Sequence, residues 1–215
     1  MLSFFSVDTI ALTVVGYQMS WLELVGTLFN IWCVYLAARK NILTWPVGLV
    51  GIVCYLFLFH QIQLYADMLE QAYFFVMTFV GIALWRQTAR KKEEVFVQVL
   101  STRERIGWTI ILLIGTAILT FITTSLPTWL PALFAEVPSY PWLDALTTMM
   151  SFVATYLMAK RYLECWALWI AVDVIGVWLY WVKDVKFISI EYLFFLAIAI
   201  WGAVTWFNSY KKTRA

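Results

Sequence analysis

Charge is scarce in this chain: 13% of its 215 residues are charged, against about 25% in an ordinary soluble protein. Histidine is nearly absent, and His60 alone excludes a multi-histidine metal site. Cys33, Cys54 and Cys165 are odd in number and lie in apolar runs, which excludes a disulfide framework and predicts packing roles. Residues 1–20 contain no Lys or Arg, so the basic leader of a cleavable signal peptide is not expected. No Walker A loop, GxGxxG or HExxH occurs, and no cofactor or metal is expected. The basic stretch 86–105 has too little aromatic interleaving for a nucleic-acid module.

What is present is apolar. Hydrophobic residues make up 63% of the chain, aromatics 19%, and the mean hydropathy is +0.81. Seven apolar runs are separable: Trp21–Ala38, Leu43–His60, Ala66–Trp85, Ile106–Ser125, Trp142–Ala159, Glu164–Val182 and Ile188–Asn208. Each matches the ~20 residues a helix needs to cross ~30 Å of hydrocarbon. The expectation is an all-α polytopic membrane protein with seven transmembrane helices. Residues 3–16 are apolar but short and carry Asp8, which predicts an interfacial helix within an external segment 1–20. The segment 126–141 has four prolines and reads as a structured external loop. Seven spans place 13 of the 15 Lys and Arg residues on one side, leaving Lys183 and Lys186 on the other. The positive-inside rule then puts the N-terminus outside and the 87–105 loop and the 209–215 tail in the cytoplasm.

The chain also repeats. Residues 21–85 and 142–206 align without gaps at an offset of 121. Trp21 meets Trp142, Trp45 meets Trp166, and Trp85 meets Trp206. Thr27 meets Thr148, Tyr35 meets Tyr156, Glu70 meets Glu191, Gly81 meets Gly202, and Arg39-Lys40 meets Lys160-Arg161. Two three-helix copies (21–86 and 142–208) in direct succession would be inverted; the fourth span, 106–125, restores one orientation. The result is a 3+1+3 parallel repeat, SWEET-like by fold analogy, with a substrate site expected near mid-membrane between the copies.

Asp173 stands out in the sixth run. Trp166, Trp169, Asp173 and Tyr180 fall at i, i+3, i+7 and i+14, on one helical face. A carboxylate at mid-bilayer costs ~2.5–3.5 kcal/mol, so it faces protein or water and marks a functional site or a charge pair. Two indoles beside a buried acid make a seat for a flat, polar, cationic small molecule. On the third run Asp67, Glu70, Gln71 and Phe74 form one stripe; on the fifth, Asp144, Thr147, Thr148 and Ser151 form another. Gln71 reads as a site residue or as an amide joining helices. Glu23 and Glu164 are close enough to helix ends to be neutralised there by Lys or Arg. Trp21, Trp85, Trp142 and Trp206 sit at span ends and are expected in the aromatic belt, whereas Trp45 and Trp166 are candidates to line the site.

The phrases WPVG at 45–48, LYADMLEQAYFF at 64–75, GIALW at 81–85 and the long motif at 144–180 resemble the Pnu family of bacterial vitamin transporters. The resemblance covers about Trp21 to Trp206. The family's two tryptophans followed by Asn or Asp on the sixth helix are met by Trp166, Trp169 and Asp173, and its third-helix Gln by Gln71. Its Gly-Trp-x-x-Trp ending is met by Gly81-Ile82-Ala83-Leu84-Trp85, which lacks the first Trp. The resemblance implies facilitated diffusion of nicotinamide riboside across a bacterial inner membrane, with the cargo trapped by a cytoplasmic kinase. Thiamine and riboflavin are alternatives on the same fold, and a homo-oligomer is compatible with it. The expected substrate-binding set is Trp166, Trp169, Asp173, Gln71, Trp45, Glu70, Phe74, Tyr180, Thr148 and Glu191. A membrane-embedded enzyme needs a nucleophile–base or metal constellation that the sequence lacks, and a mid-membrane acid argues against a plain scaffold. The orientation predicts that, in a Cys-free background in intact cells, an impermeant thiol reagent labels Ser139→Cys and spares Thr102→Cys. Labelling at position 102 overturns it.

Overall fold

A computed structural model describes residues 6–14, 16–61, 65–90, 97–132, 134, 139–182 and 186–214. Two short strands, β1 (Ile10–Val14) and β2 (Tyr17–Ser20), precede seven helices. These are α1 (Trp21–Ala38), α2 (Thr44–Gln61), α3 (Tyr65–Arg90), α4 (Thr102–Trp129), α5 (Pro141–Ala159), α6 (Glu164–Val182) and α7 (Lys186–Arg214). All but α5 are long and apolar enough to cross a membrane. At 19 residues α5 has the length, but its polar stripe leaves it less apolar than the others.

The N-terminal expectation is corrected. Ile10–Val14 and Tyr17–Ser20 form an antiparallel strand pair, with Val14 opposite Tyr17 and Thr13 opposite Gln18, not an interfacial helix; residues 3–5 and 15 of that expectation lie outside the described residues. Gly16, at φ +81°, makes the turn that a side chain would strain. Ser20 ends the hairpin and caps α1, its hydroxyl accepting from the Glu23 amide at 3.2 Å. Helix α4 starts four residues before its apolar run, because Ser101 and Glu104 form a reciprocal capping box.

Packing arranges the helices as a ring. α1 packs on α2 and α7, α2 on α3, α3 on α5, α5 on α6, and α6 on α7, while α4 lies outside against α5. The turns after α1 and α5 have the same shape. Amides of Arg39, Lys40 and Asn41 donate to carbonyls of Tyr35, Ala37 and Leu36; those of Lys160, Arg161 and Tyr162 donate to Tyr156, Met158 and Leu157. Each turn holds a non-glycine residue at positive φ, Lys40 at 57° and Arg161 at 62°.

These two turns surround the core. Trp45 meets Trp85 edge-on at 5.7 Å and 89°, and Trp166 meets Trp206 at 5.6 Å and 82°. Trp85 and Trp206 lie 6.5 Å apart. Their indole N–H groups cross between helices: Trp85 donates to Ala159 O and Trp206 to Ala37 O, each at 3.1 Å. Both rings are buried, which corrects the aromatic-belt expectation for them; Trp21 and Trp142 are exposed, as a belt requires. The reason is chemical: the last carbonyls of a helix have no intrahelical partner, and a buried indole N–H supplies one.

Residues 97–101, just before α4, are more than a solvated loop, while 91–96 lie outside the described residues. Gln98 N donates to Arg161 O at 2.9 Å and Leu163 N to Gln98 O at 2.8 Å, while Val97 and Leu100 are buried. Glu164 holds the same strap, accepting from Leu100 N and pairing with Arg105 at 2.9 Å. This is the helix-end neutralisation expected for Glu164; being partly exposed, the pair contributes ~1 kcal/mol or less.

Two glycines let the indoles in. A Cβ on Gly81 would sit 2.2 Å from the Trp45 ring, and one on Gly202 2.6 Å from the Trp166 ring. Overpacking of this kind costs ~1–3 kcal/mol. Gly81→Ala and Gly202→Ala are therefore expected to lower the unfolding temperature of the purified protein by several degrees. Gly107→Ala on α4, where a Cβ meets nothing within 4 Å, is expected to be neutral. Parental stability in Gly81→Ala would show that Trp45 is not seated there.

Candidate functional site

Asp173 lies halfway along α6, 5% exposed. Among the described residues it makes no hydrogen bond and no ion pair; the salt bridge found there joins Arg105 to Glu164. An unpaired polar group removed from water costs free energy, so this carboxylate is not a fold-stabilising partner of a helix-end cation. One turn before it, the Trp169 indole N–H is buried without an acceptor, and that of Trp166 likewise. Thus three unused polar groups share one face of α6, as their spacing predicts.

Gly176, one turn beyond Asp173, receives the ring of Tyr192 from α7, 2.3 Å from where a Cβ would stand. Ser189 donates to Val177 O at 2.9 Å, so α6 and α7 are clamped there. Tyr192 stacks on Tyr180 at 5.4 Å and 21°. It lies within electrostatic reach of Asp173, Glu70 and Glu191. Tyr180 is within reach of Asp67, Glu70, Asp144 and Glu191.

The expected residues therefore fall into two groups, with Asp173 between them. At the carboxylate end, Glu70 on α3 lies near the Ser151 hydroxyl of α5, and Glu191 on α7 lies near the hydroxyls of Thr27 on α1 and Tyr55 on α2. Thr27 and Tyr55 also share a hydrogen bond of 2.9 Å. Glu23 accepts from Tyr17 OH at 2.6 Å rather than meeting a cation. Phe74 packs edge-on against Phe152 of α5 at 6.4 Å. Gln71 and Thr148 are half-buried and make no hydrogen bond among the described residues.

At the turn end, Trp45 and Trp166 are packed edge-on in the tryptophan cluster. They form its floor rather than standing beside Asp173, although each keeps an unpartnered N–H. The reading of the sequence missed Tyr192, Tyr55 and Gly176. A signal existed for Tyr192: it follows Glu191 and is the 121-residue counterpart of Gln71.

The two classes of indole predict opposite outcomes. Trp85→Phe removes the donor to the buried Ala159 carbonyl, a loss of ~1–3 kcal/mol, and Trp206→Phe removes one of two donors to Ala37 O, a loss of ~0.5–1.5 kcal/mol. Both are expected to unfold several degrees lower. Trp169→Phe removes an N–H that bonds nothing, so its unfolding temperature should hold while ligand affinity falls. Equal destabilisation of all three would erase the distinction.

Known proteins match this chain over most of its length. The family model described as nicotinamide mononucleotide transporter matches residues 20–208. The nicotinamide riboside transporter PnuC of Escherichia coli (strain K12) is 30% identical, over 98% of this chain and 97% of that protein. The riboflavin/roseoflavin transporter RibM of Streptomyces davaonensis is 26% identical, over 86% of this chain and 84% of its own. A crystal structure of the vitamin B3 transporter PnuC superposes with a TM-score of 0.70 at 28% identity, covering 89% of this chain and 83% of that one. With its six apolar helices, its ring of packed helices and this match, the chain belongs to the nicotinamide mononucleotide transporter family of membrane transporters.

Proposed function

We propose that this protein carries nicotinamide riboside into the bacterial cytoplasm by facilitated diffusion, with a cytoplasmic kinase trapping the cargo. The observation that carries the reading is Asp173: buried, unpaired, and on one helix face with two unpartnered indole N–H groups. The cargo has a cationic pyridinium ring, a carboxamide and a ribose. Its charge offsets the carboxylate, its ring stacks on Trp169, and its hydroxyls or amide meet Asp173 and Gln71. Trp166 and Trp45 close the turn end of the path, while Phe74, Thr148 and Tyr180 line the other. Glu70 and Glu191, with Asp67 and Asp144, set a negative potential at that mouth which draws a cation in.

The same reading takes α5 as a seventh span and the architecture as 3+1+3, with α1–α3 and α5–α7 as parallel copies. Its support is the recurrence at the 121-residue offset of the turn geometry, the edge-on tryptophan pairs and the glycines beneath them. The basic turns then face the cytoplasm by the positive-inside rule. RibM favours a second reading, riboflavin as cargo, but riboflavin is uncharged and leaves the buried carboxylate uncompensated.

Uptake into proteoliposomes tests this. Labelled nicotinamide riboside is expected to equilibrate without ATP and without sensitivity to a proton ionophore, and Asp173→Ala to fold but bind more weakly. Losing a hydrogen bond to a charged group costs ~1.5–3 kcal/mol, roughly ten- to hundred-fold in affinity. Uphill uptake that collapses with ionophore would show coupling instead. Parental affinity in folded Asp173→Ala would remove the acid from the site, and tighter binding of riboflavin would favour the second reading.

A further inference from the structure

Most basic residues at the turn end are exposed to solvent, but Arg161 is only 8% exposed. Its guanidinium lies 4.7 Å from the centre of the Trp85 ring. Its Nε is buried with no hydrogen-bond partner, and no carboxylate among the described residues pairs with it. Lys40 occupies the equivalent place in the turn after α1, with the same left-handed backbone. Its ammonium reaches across to Ser209 on the last turns of α7. Lys212, one turn further on, and Arg161 are the two cations whose charges act on Lys40.

Three like charges thus converge where the α1–α2 turn, the α5–α6 turn and the end of α7 meet. Burial holds the Lys40 ammonium below its ordinary range, and the charges of Lys212 and Arg161 add to that. Burial acts on Arg161 in the same direction. Lys40 and Arg161 themselves hold positive φ, a backbone conformation that costs free energy for a residue with a side chain. Mutual repulsion at a partly buried site adds to that cost. An anion reverses the sign of the electrostatic term. Arginine's planar fork suits two oxygens of a phosphate, and lysines supply point charges beside it.

We propose that Arg161, Lys40 and Lys212 form a binding site for a phosphate-bearing anion at the basic end of the helix ring. It is separate from Asp173, which lies at mid-helix. The phosphate belongs either to a small soluble molecule or to an anionic lipid headgroup, and both present the same oxygens to the guanidinium.

The test is thermal unfolding of the full-length protein in phosphatidylcholine nanodiscs. One arm titrates inorganic phosphate against chloride at constant ionic strength; the other raises the phosphatidylglycerol fraction of the disc. A ligand that binds the folded state raises the unfolding temperature in a saturable way. Such a rise is expected with at least one probe. Lys40→Gln and Lys212→Gln are each expected to shift its midpoint about tenfold or more; Arg161→Gln abolishes it if that variant folds. Response to phosphate assigns a soluble phosphate group, and response to phosphatidylglycerol alone assigns a headgroup. No saturable rise with either probe, or an unchanged midpoint in both lysine variants, overturns the proposal.

Discussion

The ring of helices depends on two hydrogen bonds that cross it. Trp85 on α3 donates to the end of α5, and Trp206 on α7 donates to the end of α1. Trp85 satisfies the Ala159 carbonyl, a helix-terminal acceptor that no backbone amide among the described residues reaches, and Trp206 adds a second donor to Ala37 O, which already accepts from Lys40 N. Each also pins an edge-on indole pair over a glycine, so the bonds and the packing support one another. Among the described residues, the opposite end holds no such pair of interlocked indoles. There Tyr73 OH on α3 donates to Phe152 O on α5 at 2.8 Å, and the carboxylates of Glu70 and Glu191 lie near the hydroxyls of Ser151 and of Thr27 and Tyr55.

That difference assigns separate tasks to the two ends. Indoles locked into a dense cluster resist displacement, because a packed core tolerates few intermediate arrangements. A carboxylate beside a hydroxyl exchanges that neighbour for water at little net cost. Asp173 lies between these regimes, with the Tyr180–Tyr192 stack on the exchangeable side and the tryptophan cluster on the other. The strap through Gln98 and the Arg105–Glu164 pair brace the indole end from outside.

Much of this was legible in the chain. The boundaries of α1 and α6 follow directly from apolar runs ended by Arg39 and Lys183. Asp173 announced itself, because an acid at the centre of a nineteen-residue apolar helix has few structural explanations. What stayed hidden depends on distant partners. Trp85 and Trp206 sit at span ends, where a lipid-facing anchor and a buried donor look alike. Their acceptors are 74 and 169 residues away, and no local pattern encodes that. The hairpin was hidden because an apolar stretch of its length suits a strand pair or a surface helix, and Gly16 alone arbitrates. The start of α4 was visible in Ser101 and Glu104, but an apolar-run reading does not register caps.

The 121-residue correspondence has one more implication, in what it fails to match. The counterpart of Asp173 is Ile52, and that of Trp169 is Gly48, with the Cys33 sulfur pressed against it. Two identical three-helix subunits would have set a pair of carboxylates face to face, inviting two cations or none. A single covalent chain is released from that symmetry. On the proposed function, its one mid-helix acid, Asp173, stands on one wall of the path, which gives that path a polarity around its circumference as well as along its length. A cargo with a charged face and a neutral face then has one preferred rotational setting there.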